Sequence, residues 1–180
     1  MAAKDKSLTG NERTFHPDEI VVTKTDLQGR ITYANDVFIK LAGYSEAELL
    51  GTQHNIIRHP HMPRCVFKLL WDTIQGGNEI FAYVINRADN GDHYWVYAHV
   101  TPSIAEGGKV MGYHSSRRVA NKGILTNTII PLYGKLLDLE KSHGSAKEGL
   151  EASARMLADT PGSLGFATYE ELIHSLFDGS

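Results

Sequence analysis

Residues 54–63 read HNIIRHPHMP, and three histidines, an arginine and an asparagine within ten residues offer three kinds of chemistry. A metal site needs two to four converging ligands. Here the prolines at 60 and 63 turn successive side chains apart, and no second His or Cys pair stands elsewhere to complete a set. A phosphate grip needs a fixed cation ringed by donors, which Arg58 supplies as a planar fork and His54 and His59 extend. The third reading is a polar surface loop that holds nothing. Two further groups invite the same question. Phe67 and Trp71 are four apart and share one helix face, where they serve as ordinary core or as a wall for a flat apolar ligand. Asn86 interrupts the β-rich run AYVINRA with a side chain that both donates and accepts, and marks either a bulge or a contact to a polar ligand edge.

These residues sit on elements that the sequence punctuates clearly. IVVTKTD (20–26) and ITYAN (31–35) flank a glycine turn and predict a hairpin. In DVFIKLAGY and SEAELLG, Asn35 or Asp36 and then Ser45 cap short helices that Gly43 and Gly51 end. PRCVFKLLWDTIQGG (63–77) opens on a proline, closes on a glycine pair and spaces Phe67, Leu70, Trp71 and Ile74 as one helix face, the longest of the core. EIFAYVINRA, HYWVYAHVTPS and VMGYHSSRRV then predict three strands joined by an NGD turn and a GG turn. Two strands, several helices and three strands make an α+β domain, a five-stranded antiparallel sheet with short helices on one face. The expected layout is an N-terminal flexible arm (1–17), a domain over 18–120 and a C-terminal helical extension (121–180). In that extension Pro131 kinks or splits the first helix near residue 130. Its apolar stripe must bury on the sheet, on its own hairpin or on a second subunit.

Composition narrows the function classes. A chain of 180 residues that is 42% hydrophobic can bury one full core with an appendage, and a net charge of −3 gives no basic face for nucleic acid. No run approaches the roughly 20 apolar residues of a membrane span. The polar start lacks the apolar segment of a secretory signal, and the single cysteine, Cys65, forms no internal disulfide, so the expectation is a cytoplasmic protein. GxSxG, P-loop, HExxH and paired CxxC motifs are absent and nothing pairs a nucleophile with a base, so neither catalytic nor metal-ligating residues are expected.

The ordered set GYS, LLG, NRADNGDHYWV and GYHSSRR over residues 18–120 resembles the PAS domain. HNIIRHPHMP followed by a helix with Phe67 and Trp71 narrows the resemblance to the FAD-binding PAS domains of aerotaxis receptors. The resemblance implies FAD as cofactor, with Asn35, Arg58, His59, Phe67, Trp71 and Asn86 at the family's functional positions. It also implies a redox or oxygen sensor that signals by conformational change to a chemoreceptor-type or other signalling protein, with possible homodimerisation. His61 stands where that family often has an acidic residue. On this reading Trp71 walls the flavin ring, Asn86 meets its polar edge, and Arg58 with His54 and His59 grips the phosphate or ribose end. Photosensing PAS domains carry a reactive cysteine directly after an asparagine, whereas Asn55 here precedes Ile56. Two alternatives stay open. One is a haem-binding gas sensor, ligated through His54, His59, His93, His99 or His114; the other is a ligand-free PAS interaction module.

Overall fold

The computed structural model describes residues 7–178, so positions 1–6 of the expected arm lie outside the described residues. Strands β1 (Val21–Thr25) and β2 (Ile31–Ala34) form the predicted hairpin, closed by Asp26 Oδ1 accepting from the backbone N–H groups of Gln28 and Arg30 at 2.9 and 2.8 Å. Strands β3 (Ile80–Arg87), β4 (His93–Ile104) and β5 (Val110–Val119) complete an antiparallel sheet in the order β2-β1-β5-β4-β3. The hairpin lies at one edge and β3 at the other, so the helices between β2 and β3 must cross the sheet. They lay one face of it under cover.

Those helices are α1 (Asp36–Ala42), α2 (Glu46–Leu49), a 3-10 turn (His54–Ile57) and α3 (Arg64–Gln75). Ser45 and Glu48 form a reciprocal capping box on α2, and Gly43 ends α1 in the left-handed conformation. Cross-strand register puts Ala82 opposite Ala98, Thr23 opposite Ser115 and Ala98 opposite Arg117 on the helix-covered face. Small side chains at Ala82, Ala98 and Ser115 leave room there that Leu or Ile would fill.

The helical extension expected after residue 120 packs on the other face of the sheet. Helix α4 (Lys122–Ile124) runs through a π-helical turn (Leu125–Ile129) into α5 (Ile130–Ser142), followed by α6 (Ala146–Ser163) and α7 (Tyr169–Asp178). The break expected at Pro131 takes the form of that widened turn, which precedes the residue lacking an N–H and keeps the backbone helical. Tyr133 of α5 packs on Trp95, His174 of α7 on Phe81 and Phe177 of α7 on Tyr97, all on the sheet face opposite α3. Tyr133 Oη also donates to the Tyr83 carbonyl at 2.6 Å and so occupies a polar group of the edge strand. Helices α5 and α6 pack as a hairpin, and α6 lies against α3.

Residues 9–15 are not a loose arm. The backbone of Thr9 bonds Gly91, Arg13 and Asn11 bond His93, Arg13 Nε pairs with Asp92 at 3.0 Å, and Phe15 packs on the core. Gly91 is required at this contact, with φ at +93° and Ser7 O only 2.3 Å from where a Cβ would stand. The NGD turn therefore serves both as a hairpin and as a dock for the N-terminal segment.

Candidate functional site: a slot between α3 and the sheet

A cavity of about 270 Å³ lies between α3 and the covered sheet face. Ile57, Phe67, Leu70, Trp71 and Ile74 form its helical wall, and Val84, Ala98 and Val100 its sheet wall. Helical spacing aims the first set and strand alternation the second. Trp71 closes one end, edge-on to Tyr113 with ring centroids 5.5 Å apart and pressed against Gly29, where a Cβ would approach the indole to 3.0 Å. Exposed Asn55, Arg58 and Lys68 stand at the mouth. The Arg58 guanidinium sits 4.7 Å above the Phe67 ring, and its backbone forms a bridge with Asn86.

The buried polar groups of the slot that lack a partner among the described residues lie on the sheet. Asn86, Ser115 and Arg117 are all buried and line it, and Asn86 Nδ2, Ser115 Oγ and Arg117 Nη1 have no hydrogen-bond partner among the described residues. Three orphaned polar atoms facing the apolar helical wall of one slot are what a ligand with a polar edge would satisfy. Arg117 is the most costly of them. It is 5% exposed, burial pulls its pKa down to about 10, and no ion pair among the described residues includes it.

Arg117 Nη2 donates to Thr23 Oγ1 at 2.8 Å and to His54 Nε2 at 2.9 Å. Guanidinium only donates, so His54 Nε2 must carry a lone pair, and the Thr23 hydroxyl can donate to the same nitrogen at 3.1 Å. His54 is thus the neutral tautomer protonated at Nδ1. Burial first, and then the Arg117 charge, hold its pKa down to about 3.

Of the residues singled out from the sequence, His54, Arg58, Phe67, Trp71 and Asn86 line this slot; Asn35 and His59 do not. Asn35 spends its side chain on the backbone. Oδ1 accepts from Phe38 N and Val22 N at 3.0 Å each, and Nδ2 donates to Ile20 O at 2.7 Å, which caps α1 and ties it to β1. The capping reading of Asn35 accounts for all of its polar atoms. His59 is buried outside the slot, where Nδ1 accepts from His61 N at 3.1 Å and the ring lies 5.0 Å from His61 and 5.9 Å from His93. His61 faces the opposite side of the sheet beside Ile85, Trp95 and α5. The stretch HNIIRHPHMP is therefore divided between two places. No group of three His, Cys, Asp or Glu side chains among the described residues is arranged to hold a metal ion.

Of the histidines considered for haem, His54 and His114 line the slot, and the Nε2 lone pair of His54 is engaged by Arg117. Cys65 is buried outside the slot lining, and desolvation first of all pushes its thiol up to about 11. Arg117 and Ser115 are the site residues that sequence reasoning missed. Strand alternation through Tyr113, Ser115 and Arg117 was the available signal, because it places one arginine of the RR pair on the covered face.

A pH dependence follows from half-buried His54 and buried His59. Burial, followed by the charges of His61, His93 and Arg87, lowers His59 to about 4. Both folded values lie below the ordinary histidine value of about 6.5, so the unfolded chain binds protons first on acidification. Their contribution to stability is present above that value and is lost as pH falls from there towards 4 and 3. The urea midpoint should drop between about pH 7 and pH 4.5, and His54→Asn, which keeps an acceptor for Arg117, should flatten that drop. A midpoint constant over this range would show that neither imidazole is held neutral.

Residues 31–117 match the sequence profile of the PAS fold. The chain is 39% identical over 144 residues to an aerotaxis receptor of Escherichia coli K12, spanning 80% of this chain and 28% of the relative. It is 29% identical over 99 residues to a nitrogen fixation regulatory protein of Klebsiella pneumoniae, spanning 55% of this chain and 20% of that one. It therefore covers less than a third of either relative. Among solved structures, a light-oxygen-voltage domain studied with a flavin analogue superposes with a TM-score of 0.55 at 16% identity, covering 64% of this chain and 87% of that one. The dark structure of the aureochrome1 light-oxygen-voltage domain gives 0.53 at 22% identity, covering 64% and 85%. At these identities the superpositions establish the fold alone.

Proposed function

The chain is a PAS-domain protein, and from that premise we propose that it is a flavin-based redox or oxygen sensor module. It holds FAD in the α3–sheet slot and signals by conformational change. The observation that carries the proposal is the set of buried polar atoms without a partner among the described residues, Asn86 Nδ2, Ser115 Oγ and Arg117 Nη1, on the sheet side of a cavity that Ile57, Phe67, Leu70, Trp71, Ile74, Val84 and Val100 also line. An isoalloxazine ring is a flat apolar plate with carbonyls and an N–H along one edge, and it would use both features. About 270 Å³ suits the ring better than a whole dinucleotide, which leaves the phosphates at the mouth with Arg58 and Lys68.

FAD, when bound, supplies reversible electron uptake that changes the charge and hydrogen-bonding demand of the ring edge. This chain's residues bind and orient that edge. Asn86 offers a donor and an acceptor, the Ser115 hydroxyl rotates to either role, and the Arg117 cation favours negative charge near it. All three are strand residues, and Asn86 pairs with Tyr94 in the ladder and with Arg58 across the bridge. A change in the demand on Asn86 would therefore reach β4 and the mouth together. The output would pass to a chemoreceptor-type or other signalling protein in the cytoplasm, with the chain acting alone or as a homodimer. Similarity to an aerotaxis receptor supports that direction. No helix among the described residues is long and apolar enough to cross a membrane.

Hydrogen exchange of the FAD-loaded protein, oxidised and dithionite-reduced, tests the sensor reading. Strands β3 and β4 should exchange differently in the two states, and identical exchange throughout the sheet would rule out this signalling route. Arg58→Ala should leave the fold intact and weaken cofactor retention by about 1.5–3 kcal/mol, the worth of one charge-assisted contact. Full flavin occupancy of that variant after extensive dialysis would remove Arg58 from the grip.

A further inference from the structure

Glu140 of α5 is a buried carboxylate 75 residues away in sequence from the helix end it serves. Its Oε1 accepts from the backbone N–H of Cys65 at 3.0 Å and from Ser153 Oγ at 3.1 Å, and its Oε2 accepts from Arg64 Nε at 3.1 Å. The first turn of α3 has orphan N–H groups, and Pro63 at the cap position has no side chain to satisfy them. The hairpin supplies the missing acceptor. Helix α6 is shaped to hold Glu140 in place: Gly149 brings the backbones so close that a Cβ would stand 2.3 Å from Glu140 O, and Ser153 follows one turn later on the same face.

The contact leads directly to the slot. Arg64 and Phe67 are three apart on α3, and Arg58 lies over the Phe67 ring at the mouth. Partial burial first of all disfavours the Arg58 cation; of the nearby charges, Glu140 favours it and Arg64 opposes it. The chain of contacts thus runs from α6 through Glu140 to α3, Phe67, Arg58 and, by the backbone bridge, Asn86.

We propose that Glu140 is a positioning residue for the slot: from the C-terminal hairpin it fixes the start of α3 and the setting of Arg58, so that docking of the hairpin and filling of the slot are coupled. The coupling rests on the slot being the ligand site proposed above; the positioning of α3 does not. Linkage makes the effect reciprocal, so whatever fills the slot would also tighten the hairpin.

Glu140→Gln keeps the shape and an acceptor but removes the charge. Hydrogen exchange of the α3 first turn should rise in this variant, FAD absent, and FAD affinity should fall about tenfold, within the usual range of couplings between sites. The charge-specific readout is a double-mutant cycle in FAD affinity with Arg58→Ala, which should be non-additive because both changes act on one guanidinium. Ser153→Ala, which removes one contact and leaves the charge, should raise α3 exchange by a smaller amount and provides the same test if Glu140→Gln does not fold. Unchanged α3 exchange in the folded variants, or an additive cycle, overturns the proposal. If the wild-type protein takes up no FAD, the sensor reading and the coupling fail together, and α3 exchange alone decides whether Glu140 positions the helix.

Discussion

Arg117→Met is expected to leave the protein without FAD after purification, while the melting temperature of the unloaded chain stays level or rises. The opposite signs come from one fact, that a cation buried to 5% exposure has partners on Nη2 and, among the described residues, none on Nη1. In the unloaded protein its desolvation is offset only by the bonds to Thr23 and His54 and by the Phe38 ring 5.6 Å from the guanidinium, and replacing buried paired charges with apolar side chains of similar volume is often neutral or stabilising by about 1–4 kcal/mol. In the loaded protein the variant loses a charge-assisted contact worth about 1.5–3 kcal/mol, roughly 10–100-fold in affinity, together with the charge that favours an electron-rich ring edge. Thermal melts with and without added FAD would read both effects. A variant that destabilises the unloaded chain and binds FAD as well as the wild type would make Arg117 a structural residue.

The second large effect is expected from ending the chain at Val119. Leu125, Ile129, Tyr133, Leu136, Leu157 and Ile173 all belong to the same buried cluster as the sheet. At about 1.5–3 kcal/mol each, an upper bound because the unfolded chain already hides some surface, their loss rivals the entire stability of a typical domain, about 5–15 kcal/mol. The truncation would also uncover Trp95, Tyr97 and Phe81 and free the edge carbonyl that Tyr133 engages. The expected product is aggregated or associated protein with no cooperative melt. A soluble monomer as stable as the full chain would show that the tail contributes no packing.

The sequence made the hairpins, the caps at Ser45 and Asn35, helix α3 and the NGD turn readable, because each rests on local chemistry within a few residues. It did not distinguish Asn35 as cap from Asn35 as ligand contact, since one amide suits both and only the partners of its three bonds decide. His59 and His54 look alike in a histidine-rich run, yet the turn at 54–61 sends His54 and Arg58 to the slot and His61 to the other side of the sheet. Arg117 was hidden by its charge, since an arginine in a strand is ordinarily assigned to solvent and only the register with Val21 and Ala98 turns it inward. The tail's stripe announced burial without naming the surface it covers, and the π-turn before Pro131 was foreshadowed only as a break. Long-range partners such as Glu140 and Cys65 leave no local signature at all.

Whether the slot holds a flavin is read from the visible absorption spectrum of the purified protein after incubation with excess FAD and removal of the unbound fraction, with the flavin then released by denaturation and quantified. The expected result is the two-band spectrum of a bound oxidised flavin, one FAD per chain, greatly diminished in Arg117→Met. A colourless protein, or a Soret band in place of the flavin bands, would contradict it.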